Sequence, residues 1–390
     1  MSTTTDLLPF LYSGKITTVG NELSVDIARK STTELGINAS ESAAFGAIYA
    51  ALGKDDKVGS SFINIRDQDS FVGTLRQMLP DHAGGTFEAV SLADRTVART
   101  LTDPKANYDD DGRLTYWLTQ IAWGSSKSIG DTAGFEIGGW GVTGGADVRT
   151  PVGRFGGSLA YLAGKDDDKA TSNAIHADQY SIAAHWRLNA GNFRASARGA
   201  YASVKFDGSR HFGSDAGAEP VERTMESKWK GSMVSGIASL AHETWSGRLS
   251  FRPAVTLEYH RLSEDAHSET GGGAALDLAI NARKSDELAL NALTAVGLEF
   301  GGDRPEEGYF RMEIEGGRRQ ILSGSLGATT AHFAGGNDFT LVPEQRESGW
   351  LGRLRGIGGN SDFSIAGELG GEQREDRIAM TARISLKIGL

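Results

Sequence analysis

The sequence predicts an all-β transmembrane barrel: a 12-stranded antiparallel up-and-down barrel with an N-terminal α-helix threading its lumen, preceded by a small helical segment. Three observations predict it. From Leu114 onward, residues alternate apolar and polar with a period of two, the mark of strands with one greasy and one wet face. These runs are mostly longer than ten residues, whereas soluble strands usually hold about five or six and a membrane-spanning strand needs about 9–11. The connections alternate between tight turns and long polar loops, as the two rims of a membrane barrel do.

Composition bounds the alternatives. The chain has 390 residues and 52 Gly, about twice the usual glycine share. A formal net charge of -10 argues against nucleic acid as a partner. No run approaches 18 apolar residues, so no transmembrane helix is expected, which leaves barrel strands open. The absence of cysteine removes disulfides and thiolate metal sites and suits a chain that crosses an oxidising compartment unfolded. The opening MSTTTDLLPF has neither a basic n-region nor an apolar h-region. The chain therefore reads either as cytoplasmic or as a piece of a longer precursor.

Four segments follow in order. Residues 1–33 are β-rich, GKITTVGNELSVDIARK most clearly, and suggest the end of a larger β-structure. Residues 34–85 are helical. Asn38 or Ser40 caps a helix whose apolar face holds Ala44, Ile48 and Leu52. Asp67 or Asp69 caps a second, with Phe71, Leu75 and Met78 on its face and Pro80 at its end. Residues 86–110 hold a third helix, Thr86 to Leu101, and a connection; Val90, Ala93 and Val97 make one side, and Glu88, Asp94, Arg95 and Arg99 surround the rest.

Residues 111–390 supply the barrel. Twelve strands are expected at 114–124, 133–148, 154–164, 173–189, 191–206, 228–245, 247–261, 288–300, 308–321, 346–358, 361–373 and 376–389. In GRLSFRPAVTLEYHRL, Leu249, Phe251, Val255, Leu257 and Tyr259 oppose Arg252, Thr256, Glu258 and His260. Glycine blurs the phase of the second, sixth and tenth strands. Tight turns at Ala190-Gly191, Ser246-Gly247 and Gly359-Asn360 follow even-numbered strands, and long loops follow the third, fifth and seventh. That parity puts both barrel termini on the short-turn rim. Trp117, Trp123, Trp186, Phe193, Trp245, Tyr259 and Trp350 are candidates for interfacial girdles.

A sheet in lipid must close, so the first and twelfth strands are expected to pair. Twelve strands at roughly 4.8 Å spacing and about 40° tilt give a backbone diameter of roughly 24 Å. Inward side chains take about half of that, leaving room for one α-helix about 10–12 Å across. Asp94, Arg95 and Arg99 of the third helix would then face the lumen groups Arg194, Arg198, Arg252, Glu258, Glu313, Glu315, Arg383 and Lys387. Buried charges need partners or water, and inward arginines opposite inward glutamates supply them. Mixed charge that merely solvates the lumen is the plainer reading of any one of these residues.

The helix FEAVSLADRTVARTL, the glycine-rich opening strands YWLTQIAWG and GFEIGGWGVTGGADVRTPVGRFGGSLAY, and the closing MTARISLKIGL together resemble the C-terminal translocator of classical autotransporters, the type V secretion proteins of Gram-negative outer membranes. The resemblance covers about residues 86–390. NASESAAFGAIYAAL and DQDSFVGTLRQMLP look like a pre-barrel segment of some members, and KITTVGNELSVDIARK like the last rung of a β-solenoid passenger. The resemblance implies an outer-membrane barrel, among lipid and lipopolysaccharide, that anchors its own N-terminal passenger and helps export it, exposed at or released from the cell surface. It implies periplasmic chaperones and an outer-membrane assembly machinery that reads the last strand, here Met380, Ala382, Ile384, Leu386, Ile388 and Leu390. One chain supplies a whole barrel, so a monomer is expected. Members usually end in Phe or Trp; this chain ends in Leu390. Some members cleave themselves at an asparagine in the helix, and this helix has none; Asp94 beside Arg95 reads first as an ion pair.

Two other functions fit a barrel: an enzyme (lipase, protease or lipid A deacylase), or a passive porin or adhesin. The eight His, at 82, 176, 185, 211, 242, 260, 267 and 332, form no HExxH, and GxSxG and P-loop motifs are missing. No enzyme, metal or cofactor is expected. The acidic runs 109–111 and 166–168 read as rim groups, with divalent ions bridging lipopolysaccharide as the sharper alternative.

Overall fold

The computed structural model describes residues 8–19, 21–102, 113–301, 308–360, 362–374 and 377–389. It begins with a hairpin, β1 (Tyr12–Val19) and β2 (Glu22–Arg29), paired antiparallel from Tyr12↔Arg29 to Val19↔Glu22. This is the stretch expected to end a β-solenoid. Four helices follow: α1 (Thr32–Leu35), α2 (Ala39–Ala51), α3 (Asp56–Asn64) and α4 (Gln68–Arg76). Asn38 is the cap of α2, its side chain accepting from the Glu41 N–H while the Glu41 carboxylate accepts from the Asn38 N–H. Asp67 caps α4. Helix α3 was not anticipated; Asp55 starts it, and Val58 and Phe62 are its buried side.

Helix α5 (Gly85–Ala98) comes next, extended by a 3₁₀ turn at Arg99–Thr102. Twelve strands then form the barrel: β3 (Leu114–Lys127), β4 (Phe135–Thr150), β5 (Gly153–Asp168), β6 (Ala174–Ala190), β7 (Phe193–Ser214), β8 (Val221–His242), β10 (Leu249–Glu264), β13 (Arg283–Gly301), β14 (Tyr309–Ser325), β17 (Gly349–Gly359), β18 (Phe363–Arg374) and β19 (Arg377–Gly389). Between β8 and β10 lies the short β9 (Thr244–Ser246). Each barrel strand pairs antiparallel with its neighbours in chain order. The sheet closes where β19 meets β3, from Met380↔Gly124 to Gly389↔Thr115. All twelve expected strands are present, and no sheet edge is left to lipid.

Several strands outrun the expected spans. The polar stretch 207–226, expected as a loop, instead continues β7 and β8 to 22 residues each. The other long loops carry a small second sheet: β11 (His267–Ser268), β12 (Leu278–Ile280), β15 (Thr329–Phe333) and β16 (Phe339–Leu341). This sheet and the tips of β7 and β8 share one apolar core with the helices. Leu35, Ala44, Ile48, Phe62, Phe71 and Leu75 pack with Phe212, Val221, Met225, Leu278, Phe333 and Leu341. The helical segment is thus a cap seated on the long-loop rim.

The barrel exterior is apolar. Leu159, Ile182, Ile314, Leu369 and Ile384 are among its exposed side chains, and among the described residues no helix is long and apolar enough to cross a membrane. The spans are strands. On β19, Met380, Ala382, Ile384, Leu386 and Ile388 share this outward face, while Leu390 lies outside the described residues. Phe193 and Trp350 are exposed, as girdle residues would be. Trp123 is not: it is buried against the lumen helix, and Trp117 shares its inward parity. Polarity did not separate the two faces here, because the inner wall of β3 to β5 is itself apolar where it meets α5.

Candidate functional site

Every residue of α5 is buried. The helix enters the lumen beside the cap and leaves it at the short-turn rim. Near its start, Gly84 has φ 84° and lies against Leu326 of the outer loops. At its end, the Thr102 carbonyl accepts from the Arg252 guanidinium at 3.3 Å, low on β10. Chain direction requires this, since β3 starts on the same rim.

Small residues let α5 approach the wall. Ala89, Leu92, Ala93 and Val97 pack on Ile121, Trp123, Phe135, Ile137 and Leu162. On another side Phe87 and Val90 meet Val204, Phe206, Trp229 and Leu262. The charged side chains fill what remains, in three layers. Glu88, in the first turn, faces Arg377 at 2.9 Å, Arg374 at 3.2 Å and Arg346 at 3.5 Å. Mid-helix, both Asp94 carboxylate oxygens accept from one guanidinium nitrogen, Nη1, of Arg198 of β7, at 3.0 and 3.1 Å, with His260 Nε2 of β10 at 3.4 Å. Arg95 pairs with Glu372 at 2.9 Å on the opposite wall. In the last turn Arg99 reaches Glu368 at 3.0 Å and donates to the Thr381 hydroxyl at 2.8 Å. The acid at the N-terminal end and the arginine at the C-terminal end also complement the helix dipole.

Of the expected lumen residues, Asp94, Arg95, Arg99, Arg198 and Arg252 join helix to wall. Arg194, Glu258, Glu313, Glu315 and Arg383 join wall to wall. Arg194 pairs with Glu243 at 2.6 Å, and Glu258 with Arg319. Glu313 gathers Arg252, Arg311 and Arg355 at 2.5, 2.8 and 2.7 Å. Glu315 holds Arg353, and Arg383 meets Glu368 at 3.0 Å. Lys387 shares inward parity with Arg383, in register with Trp117 and Ser364. Glu88 was named on the helix but not among the expected plug contacts, and its partners and the anchors Glu368 and Glu372 were not among them either. Glu368 and Glu372 were findable, four residues apart with the inward parity of the eleventh strand.

These contacts hold a helix in place; among the described residues no group of carboxylates and histidines is arranged to hold a metal ion. The sequence itself decides the family. Residues 117–364, well over half of the chain, match the autotransporter beta-domain family. The chain belongs to that family. The autotransporter barrel is an outer-membrane translocator for type V secretion, with a passenger attached. Among solved structures, the translocator domain of the autotransporter NalP from Neisseria meningitidis has the same fold, with TM-score 0.59 and 15% identity over 78% of this chain and 98% of that one. The transport unit of the autotransporter AIDA-I from Escherichia coli gives TM-score 0.45 at 13% identity, over 80% of this chain and 100% of that one. The beta domain of the Bordetella autotransporter Brka gives 0.49 at 10%, over 71% and 100%. No curated protein matches the sequence.

Proposed function

We propose that this autotransporter barrel carries an N-terminal passenger to the cell surface and that α5 and the helical cap close the pore behind it. One observation carries the reading: α5 runs through the lumen with its N-terminal end at the long-loop rim, beneath the cap. Long loops face outward in outer-membrane barrels. In this reading residues 1–33 are the end of the passenger, 34–85 the cap, 86–110 the plug and its connection, and 111–390 the pore.

The barrel works as a monomer, its sheet being closed by its own first and last strands. Chaperones and the assembly machinery receive it through the last strand, by edge pairing. Lipid and lipopolysaccharide surround it. It transports and does not hydrolyse. The buried His185 and His260 lie 3.5 and 3.4 Å from Asp147 and Asp94, and both acids also hold arginines. Asp94 in this reading anchors the helix and does not cut it.

A short epitope inserted between Val19 and Glu22 tests the reading. Antibody is expected to label it on intact cells. Labelling only after the outer membrane is permeabilised would overturn the outward orientation.

A further inference from the structure

Where α5 ends, guanidinium groups outnumber carboxylates. Asp147 takes Arg154 and Arg187, and Glu243 takes Arg194 and Arg311. Glu313 takes Arg252, Arg311 and Arg355, and Glu315 takes Arg353. Glu368 takes Arg99, Arg355 and Arg383. These five acids serve nine arginines, and a sixth, Glu299, stands in register with Arg311. Every arginine of the group has an acid, but most share one, so the group keeps a surplus of positive charge. The Nε–H groups of Arg187 and Arg252 are buried without a hydrogen-bond partner among the described residues. Charge held in a wall of low dielectric must be neutralised or wetted.

The surplus is concentrated at one place. Beside the last turn of α5 lies a cavity of about 30 Å³ whose polar lining is Arg187, Asn189, Arg194, Ser196, Ser239 and Arg252, with Thr102 at the helix end. No described carboxylate lines it. Asp147, Glu243 and Glu313 hold its three arginines from behind. A second cavity of about 30 Å³ adjoins it, sharing Thr102, Ser239 and Arg252, and adds Arg95, Arg99 and Arg353 against Glu258 and Glu315. Spaces of this size admit a few waters or a small ion. Above them Phe87 and Val90 pack on Val204, Phe206, Trp229 and Leu262 and close that side of the lumen. The first cavity therefore opens toward the short-turn rim, where Asn189 is exposed. The carbonyl end of α5 points into the same space, and its dipole opposes an anion. That opposition is met locally: the Thr102 carbonyl accepts from Arg252, and Arg99 stands in the last turn.

A cleft lined by one sign of charge, with low-dielectric walls, concentrates counter-ions. We propose that the short-turn mouth of the lumen binds a small inorganic anion, of the size of chloride, between Arg187, Arg194 and Arg252. The anion takes guanidinium N–H groups as donors and neutralises part of the surplus that the shared acids leave. Arg252 also holds the Thr102 carbonyl. The anion therefore steadies the residue that seats the end of α5. The site goes beyond the transport reading and does not depend on it, since it follows from the charge of the lumen wall alone.

The test uses the whole chain refolded in detergent. Sodium gluconate is replaced stepwise by sodium chloride or bromide at constant ionic strength, so that screening stays the same. Both halides are expected to raise the thermal midpoint along a saturating curve, as a ligand of the folded state does. The variant Arg187→Gln/Arg194→Gln leaves Asp147 with Arg154 and Glu243 with Arg311. It is expected to bind chloride about tenfold more weakly or worse. Should it not fold, Arg194→Gln alone is expected to lose several-fold. A second readout uses the intact chain with one introduced thiol. Ser196→Cys lines the cavity, and Ser24→Cys is an exposed control. Relative to that control, the Ser196→Cys thiol is expected to react faster with an anionic methanethiosulfonate than with a cationic one. Chloride should slow the anionic reagent there, and Arg194→Gln should reduce its advantage. Equal midpoints in chloride and gluconate, or a chloride effect undiminished in the arginine variants, overturns the site. So does preference for the cationic reagent at Ser196→Cys, or failure of both reagents to react there, which would mean a mouth closed to ions.

Discussion

Glu88 shows what a single carboxylate does in this lumen. It is buried, and three guanidinium groups converge on it from β18, β19 and the loop before β17. Forming such a cluster gains little net energy, because each ion gives up its hydration; removing Glu88 leaves Arg346 with Glu287 at 3.0 Å and Arg374 with Glu372 at 3.1 Å, but takes away the carboxylate that both share with Arg377. Glu88→Gln is therefore expected to destabilise the folded barrel by about 3 kcal/mol, read as a lower denaturant midpoint in detergent. An unchanged midpoint would mean that water solvates the arginines. At this scale the sequence was partly legible. Asp94, Arg95 and Arg99 stood out as charges on an otherwise small-residue helix, and each is an anchor. Glu88 was visible on the same helix, but its partners were not. Arg346 lies in a loop where alternation says nothing, and Arg374 and Arg377 are the end residues of β18 and β19, where a strand's period has fewest neighbours to fix it. Trp123 misled because an aromatic near a strand end suits either a lipid interface or a packed helix.

At the scale of elements, α5 is what separates this barrel from an open channel. Its small apolar side and its alternating acids and arginines fill the section through which ions would pass. Deleting residues 86–101 is expected to raise single-channel conductance severalfold in planar bilayers, with the barrel still folded. Unchanged conductance would mean that something else blocks the lumen. The strands were the most legible elements. A lipid-facing strand must alternate over its whole membrane span, so each gives a long periodic signal. Where β7 and β8 leave the membrane that constraint ends, and the polar text of residues 207–226 concealed strand that supports the cap through Phe212, Val221 and Met225. Strands β11, β12, β15 and β16 hold 2, 3, 5 and 3 residues, too few for any period to register.

The whole molecule is one body because the cap has no complete core of its own. Phe62, Phe71 and Leu75 need Phe333, Phe339 and Leu341 from the outer loops. Polar joints fix the same contact. Arg283 bridges Asp81 and Glu264 at 2.8 and 2.7 Å, Arg210 donates to the Gln77 carbonyl at 2.7 Å, and the Gly213 N–H donates to the Gln77 side chain at 2.7 Å. His82 lies in the joint with both ring nitrogens engaged. Nδ1 donates to the Pro80 carbonyl at 2.8 Å, and Nε2 accepts from the Ala133 N–H at 3.4 Å. Burial holds its pKa below the ordinary value, outweighing the Pro80 carbonyl and Asp81, so docked His82 is neutral. Undocked, it takes up a proton near pH 6.5. The undocked state thus binds more protons below about 6.5, and docking is strongest above that pH and weakens as pH falls through it. Because the chain has no cysteine, one introduced thiol reports cap opening without ambiguity. Ser61→Cys, buried in α3, is expected to react with maleimide far more slowly than the exposed control Ser24→Cys at pH 7.5. The ratio of the two rates should rise toward one when residues 329–341 are deleted, and rise in part on acidification to pH 5.5 unless His82→Gln is present. Protection that survives the deletion would make the cap an autonomous domain, and the outer loops would then be its seat and not half of its core.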